Sequence, residues 1–177
     1  VGGNVQFVDT VALNVIDSDV EVVNGTFSTD GLVQLQFKST DLLVEGTVGF
    51  NAATMHKFED SSITITNARH LGVLEANSFA KLSAIQTPIT LDGGNLEFND
   101  DTHLYAENSD LLIRNGSSIF SGDSILEFTL DTMLTILEGN FELRDNAQFL
   151  AASTTMDIFG GDFRVFDDIS LVLDTID

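Results

Sequence analysis

The chain contains no cysteine, which removes disulfides, thiolate metal sites and cysteine nucleophiles together. That absence does not assign a compartment, because long extracellular repeat proteins can manage without disulfides. Basic residues are scarce: seven Lys and Arg stand against 28 Asp and Glu, for a formal net charge of −21. Phosphate binding depends on cationic side chains, so no nucleic-acid partner is expected. An anionic membrane surface is disfavoured for the same reason. No apolar run approaches the roughly 18 residues of a membrane span, so no membrane insertion is expected. With neither an initiating Met nor a signal-like segment, Val1 is expected to be a processed or trimmed start. What remains is an apolar chain: hydrophobic residues make up 43% of its 177 positions. That excludes a disordered acidic tail and is enough for one sizeable core. The surplus negative charge reads first as a solvated acidic surface.

Helical spacing is also nearly absent, and a repeat takes its place. A glycine recurs at Gly3, Gly25, Gly46, Gly93, Gly116, Gly139 and Gly160, with Ala68 in the one vacancy. A hydroxyl column keeps step with it: Ser18, Thr40, Ser62, Thr87, Ser109, Thr132, Thr155 and Thr175. Both columns advance by 20 to 25 residues. Each unit reads as a hydroxyl corner, a short strand, a Gly or Asn-Gly turn, and a second strand that often carries Phe. Those phenylalanines are Phe7, Phe27, Phe50, Phe98, Phe120, Phe141 and Phe163. A third apolar stretch follows, as in "LVQLQF" and "ISLVLD". Period-two alternation marks strands with one buried face, and Asp, Asn, Gly and Ser supply the turns.

Three short strands per unit of about 22 residues describe one turn of a parallel β-helix. The expected architecture is a single-domain, all-β parallel β-helix (a β-solenoid) over residues 1–177, with about eight coils. A longer, irregular coil is expected around 67–88, where "NARHLGVLEANSFAKLSAI" is the best helix candidate. A sandwich of independent hairpins accounts for the strands but not for two columns in step.

Chemistry-bearing residues do not assemble into a recognisable motif. Glu59-Asp60, Asp100-Asp101 and Asp167-Asp168 are carboxylate pairs of the kind glycan hydrolysis uses, but that reaction needs two carboxylates converging on one bond. Acidic turns are the plainer reading, and the seven basic residues read as scattered along the sequence. His56 and His103 both fall ten residues after their anchor glycine, with His70 in another phase. On that count they are separated by about 9.6 Å, too far for one zinc, and read as isolated surface histidines. No EF-hand spacing is present, so no cofactor and no dedicated metal site are expected. Weak surface calcium remains compatible with so many turn carboxylates. Thr64 and Thr66 form one Thr-x-Thr pair, with Thr90 and Thr135 recurring singly, short of a stacked ice-binding face. Asn24 and Asn115 meet the glycosylation pattern, although Asn-Gly also has a turn role.

The repeats "ITLDGGNLEFNDDTHLYAENSD" and "LTILEGNFELRDNAQFLAAST" resemble the glycine-punctuated β-helical repeats of bacterial surface proteins. Autotransporter passenger domains and filamentous exported adhesins are the nearest types. The resemblance implies an extracellular or cell-surface stalk, fibre or adhesin module; with no catalytic motif among the residues, no enzymatic activity is expected. The ends suggest how such a module extends. "VGGNVQF" already holds an anchor turn and its Phe, and "ISLVLDTID" stops in mid-repeat. Neither reads as a polar cap, which solenoids normally need. The chain is therefore expected either to be a window of a longer solenoid or to stack on itself head to tail. The expected assembly interface is Val1, Val5 and Phe7 against Phe163, Val165, Leu171, Leu173 and Ile176. A glycan-binding or glycan-cleaving β-helix, with a surface glycan along one lateral face, is the alternative.

Overall fold

The computed structural model describes residues 3–66, 73–93, 95–167 and 169–176. Among these the chain is all β, and its strands pair in parallel into a solenoid of about seven turns. The eight anchor positions counted above delimit seven intervals, so the count of turns follows from the same repeat. Three faces make up each turn. Face A runs through 19–23, 41–45, Ser62–Thr66, Ile89–Asp92, Asp110–Arg114, Thr132–Leu137 and 154–159. Face B runs through 5–8, 26–30, 47–51, Val73–Ala76, Asn95–Phe98, Ser117–Phe120, Asn140–Leu143 and Asp162–Val165. Face C runs through 11–16, 33–38, Met55–Glu59, Lys81–Ile85, His103–Glu107, Ile125–Thr129, 148–152 and Ser170–Ile176.

The corners explain the turn chemistry. At the described corners one face passes to the next through a residue of positive φ, the conformation Asp, Asn and Gly adopt at least cost. Between B and C these include Ser78 (φ 65°), Asp100 (φ 62°) and Asp145 (φ 59°); between C and A, Asp60 (φ 50°) and Asn108 (φ 49°). Between A and B they include Gly93 (φ 75°), Asn115 (φ 52°) and Gly160 (φ 70°). The next position along is the crowded one. A Cβ on Gly139 would lie 2.2 Å from the Gly116 carbonyl oxygen, and one on Gly161 would lie 2.1 Å from that of Gly139. The stacked glycine column therefore passes through Gly161. Gly160, counted as an anchor in the sequence, is its left-handed neighbour one residue earlier. Gly93 is left-handed like Asn115 one coil on, the neighbour of its hydrogen-bond partner Arg114.

The hydroxyl column is corrected in the same way: its members are Ser61 and Thr154, not Ser62 and Thr155. The backbone N–H of Thr40 donates to Ser61 Oγ (3.1 Å), that of Ser61 to Thr87 Oγ1 (3.2 Å), and that of Thr87 to Ser109 Oγ (2.9 Å). Each of these hydroxyls also donates to the carbonyl two residues before it, as Ser61 does to Glu59 (2.8 Å) and Ser109 to Glu107 (2.9 Å). The ladder satisfies backbone groups that a bend would otherwise leave unpaired. A second ladder, not read from the sequence, climbs the B–C corner. Asn77 Nδ2 donates to Asn51 (2.9 Å), Asn99 Nδ2 to Asn77 (3.1 Å) and Ser121 Oγ to Asn99 (2.6 Å).

The core is a set of apolar columns. Leu91, Ile113 and Ile136 lie in one column of face A, and Leu82, Leu104 and Leu126 in one of face C, all at most 2% exposed. The phenylalanines divide between two columns of face B. Phe27, Phe141 and Phe163 share a register position, while Phe7, Phe50, Phe98 and Phe120 occupy the one two residues later. Rings nevertheless meet across the columns and along them: Phe120 to Phe141 at 5.5 Å and Phe141 to Phe163 at 5.3 Å, within the favourable range for aromatic pairs.

The expected irregular coil is mostly regular. Residues 73–76, 81–85 and 89–92 form ordinary strands, and the stretch 67–72 lies outside the described residues, with Ala68, Arg69 and His70 in it. The ladder step from Ser61 to Thr87 is 26 residues rather than the 21 to 23 of its neighbours, which places the extra length in this turn.

Candidate functional site

The two ends of the solenoid present inward-facing apolar columns with a neighbour on one side only. Val5 is 36% exposed, Leu171 43% and Leu173 53%, and Val165 is likewise exposed. Phe7 and Phe163 are half-buried against the core. Each of these six continues a column whose inner members are buried: Leu171 extends Leu126 and Phe149, and Leu173 extends Phe128 and Ala151. Val1 and the side chain of Ile176 lie outside the described residues. The structure therefore puts the six described residues of the expected interface at two opposite edges of one stack.

The lateral surface holds a second feature, and it lies on face C. All three lysines of the chain, Lys38, Lys57 and Lys81, project from adjacent coils there. The outward columns read Ala12–Gln34–Met55–Lys81–His103 and Asn14–Gln36–Lys57–Ser83–Tyr105. Short Ala12 and Ser83 lie among longer side chains, leaving an open groove of about 460 Å³. The basic residues that read as scattered are thus partly gathered, because steps near one period bring distant positions into contact. Lys81 and His103 are 22 residues apart and directly paired. That spacing was the available signal.

Three glutamates stand at the groove margin, each held by a groove or margin side chain. Lys57 Nζ donates to Glu59 Oε2 (2.8 Å) and Lys38 Nζ lies 3.5 Å from Glu59 Oε1. The hydrogen bond from Lys57, then the charge of Lys38, holds the Glu59 carboxyl below its ordinary value. Tyr105 Oη donates to Glu107 (2.6 Å), which raises the phenol pKa, and His103 Nε2 lies 3.1 Å from Glu127 Oε2. Lys81 has no ion-pair partner among the described residues.

His56 and His103 prove not to share a phase. His56 pairs with Leu82 and points inward, 2% exposed, while His103 pairs with Lys81 and points outward. Counting from Gly93 misplaced the register by one residue, and one residue exchanges the two faces of a strand. The His56 ring sits 4.1 Å from that of Phe50, Nε2 is 3.0 Å from Thr29 Oγ1, and Nδ1 has no hydrogen-bond partner. Burial lowers its pKa to about 3.

The carboxylate pairs do not converge. Asp100 stands in the left-handed corner, where its Oδ2 accepts from Ser78 N–H (3.2 Å). Asp167 occupies the same corner three coils on, about 14 Å away, and Asp168 lies outside the described residues. Glu59 and Asp60 lie at the C–A corner. Thr64 and Thr90 are register partners, but Leu112 separates them from Thr135, and Thr66 pairs with Asp92. Among the described residues, no three His, Asp or Glu side chains gather where they could hold a metal ion, and no helix is long and apolar enough to cross a membrane. No protein family, curated protein or solved structure matches the chain.

Proposed function

We propose that this protein is a structural fibre or adhesin module of an extracellular surface, extended by stacking the last coil of one copy on the first coil of the next. The observation that carries the reading is the contrast along each core column: at most 3% exposure inside the stack, and up to 53% at its edges. The columns continue across such a junction. Phe163 would meet Val5, Val165 would meet Phe7, Leu171 would meet Leu13 and Leu173 would meet Val15, each an apolar pair in the register the coils already use. Open parallel edges also present unpaired main-chain groups, so a like coil offers both hydrogen bonds and burial. Contacts of this head-to-tail kind do not close and generate filaments.

The test is the assembly state of the purified chain. Light scattering over rising protein concentration, with electron microscopy of the same samples, should show rods that lengthen in steps of one solenoid. A monodisperse monomer at high concentration would sink the proposal.

A further inference from the structure

We propose that the groove on face C binds a short stretch of acidic polysaccharide, with uronate carboxylates at Lys57 and Lys81. The chain carries 28 acidic residues, yet among the described residues lining this groove there is no Asp or Glu. Two lysines and His103 line it instead. Glu59, Glu107 and Glu127 stand at the margin, but Glu107 and Glu127 are engaged by Tyr105 and His103. Glu59 is shared by Lys38 and Lys57, while Lys81 has no ion-pair partner among the described residues. Three lysines against one shared carboxylate attract an anion here at short range.

The remaining lining selects among anions. Asn14, Gln34 and Gln36 offer amides that donate and accept, and Tyr105 adds a phenol, a set suited to sugar hydroxyls. The Met55 side chain, 55% exposed, gives an apolar surface for a sugar ring face. The groove follows the solenoid axis from the coil of Asn14 to that of Tyr105, four coil steps or about 19 Å. An extended chain of sparse charge and many hydroxyls fits this strip. A densely charged nucleic acid does not, because its phosphates need more cations than these and would be repelled by the rest of the surface.

This site is independent of end-to-end stacking, since the two lysines lie in inner coils. Failure of one proposal therefore leaves the other standing. The test exploits composition: Tyr105 is the only tyrosine and the chain has no tryptophan, so its emission reports on the groove. The full chain is titrated with a galacturonate tetramer, an uncharged glucose tetramer and a sulfated oligosaccharide of equal length. The galacturonate tetramer should give a saturable change in Tyr105 emission, weakened at least tenfold by K57Q/K81Q and unchanged by R114Q on face A. The glucose tetramer should give none. Absence of saturation, equal binding of the uncharged tetramer, or full binding by a folded K57Q/K81Q variant would overturn the proposal. Tighter binding of the sulfated chain would overturn the uronate assignment. Should K57Q/K81Q not fold, competition by rising salt on the wild-type signal decides: emission changes that ignore salt exclude the lysines.

Discussion

Leu104 and Leu171 stand in the same column of face C, three coils apart, yet the first is 0% exposed and the second 43%. Phe141 and Phe163, direct neighbours on face B, differ in the same way: buried inside the stack, half-buried at its edge. The residue types match, so the difference comes from whether a coil lies on both sides. In a solenoid each unit contacts only its neighbours, and stability is close to a sum of nearest-neighbour terms. Inner coils collect two such terms and terminal coils one.

The largest test of this contrast is Phe→Ala at two adjacent positions. Phe141→Ala should cost about 3–5 kcal/mol in chemical denaturation, because the ring is enclosed and touches Phe120, Phe149 and Phe163. Phe163→Ala should cost clearly less. Equal costs would mean that the last coil is as well packed as the inner ones, and the comparison would fail.

Acid should find one weak point inside the stack. Burial holds the His56 pKa at about 3, below its ordinary 6.5, so as pH falls the unfolded chain takes up the proton first. Stability from the neutral ring is whole above about 6.5 and drains as pH falls toward about 3, amounting to a few kcal/mol. His56→Leu, which continues the Leu35–Leu82–Leu104 column, should flatten that segment of the stability-against-pH curve. At neutral pH it should cost about 1 kcal/mol by leaving the Thr29 hydroxyl unpartnered. An unchanged slope between pH 6 and 4 would show that carboxylates govern acid unfolding.

Backbone crowding should be graded along the glycine column. Gly139→Ala places a Cβ 2.2 Å from the Gly116 oxygen and should lower stability by about 1–3 kcal/mol through forced separation of two coils. Gly3→Ala meets nothing within 4 Å and should cost less, its φ of 143° being the remaining penalty. The smallest stability effect belongs to the edges. Leu171→Lys should change the melting midpoint little, since its side chain already reaches water, yet should abolish the stacking proposed above. Rods from the Lys variant would move the interface elsewhere.

The columns legible in the sequence coincide with those of the structure where the signal is redundant. Gly25, Gly46, Gly116 and Gly139 stack as counted, and Thr40, Thr87, Ser109 and Thr132 belong to the ladder as counted. The two sets of columns differ by one residue where adjacent positions carry the same chemistry: Ser61 beside Ser62, Thr154 beside Thr155, Gly160 beside Gly161. Composition cannot choose within such a pair. The phenylalanines looked like one column because either of two inward positions on face B accepts a ring. The asparagine ladder was legible in principle, since Asn77, Asn99 and Ser121 repeat every 22 residues.

What the amino-acid sequence by itself determined is the repeat and its three-strand unit, and hence a parallel β-helix. Those rest on local causes: alternation along a strand, and Asp, Asn and Gly at left-handed bends. Which side chains share a surface was decided only by stacking. Each coil's length sets the register of the next, and a single extra residue turns an inward side chain outward. That is why His56 went into the core and His103 to the surface, and why Lys57 and Lys81, 24 residues apart in the chain, line one groove.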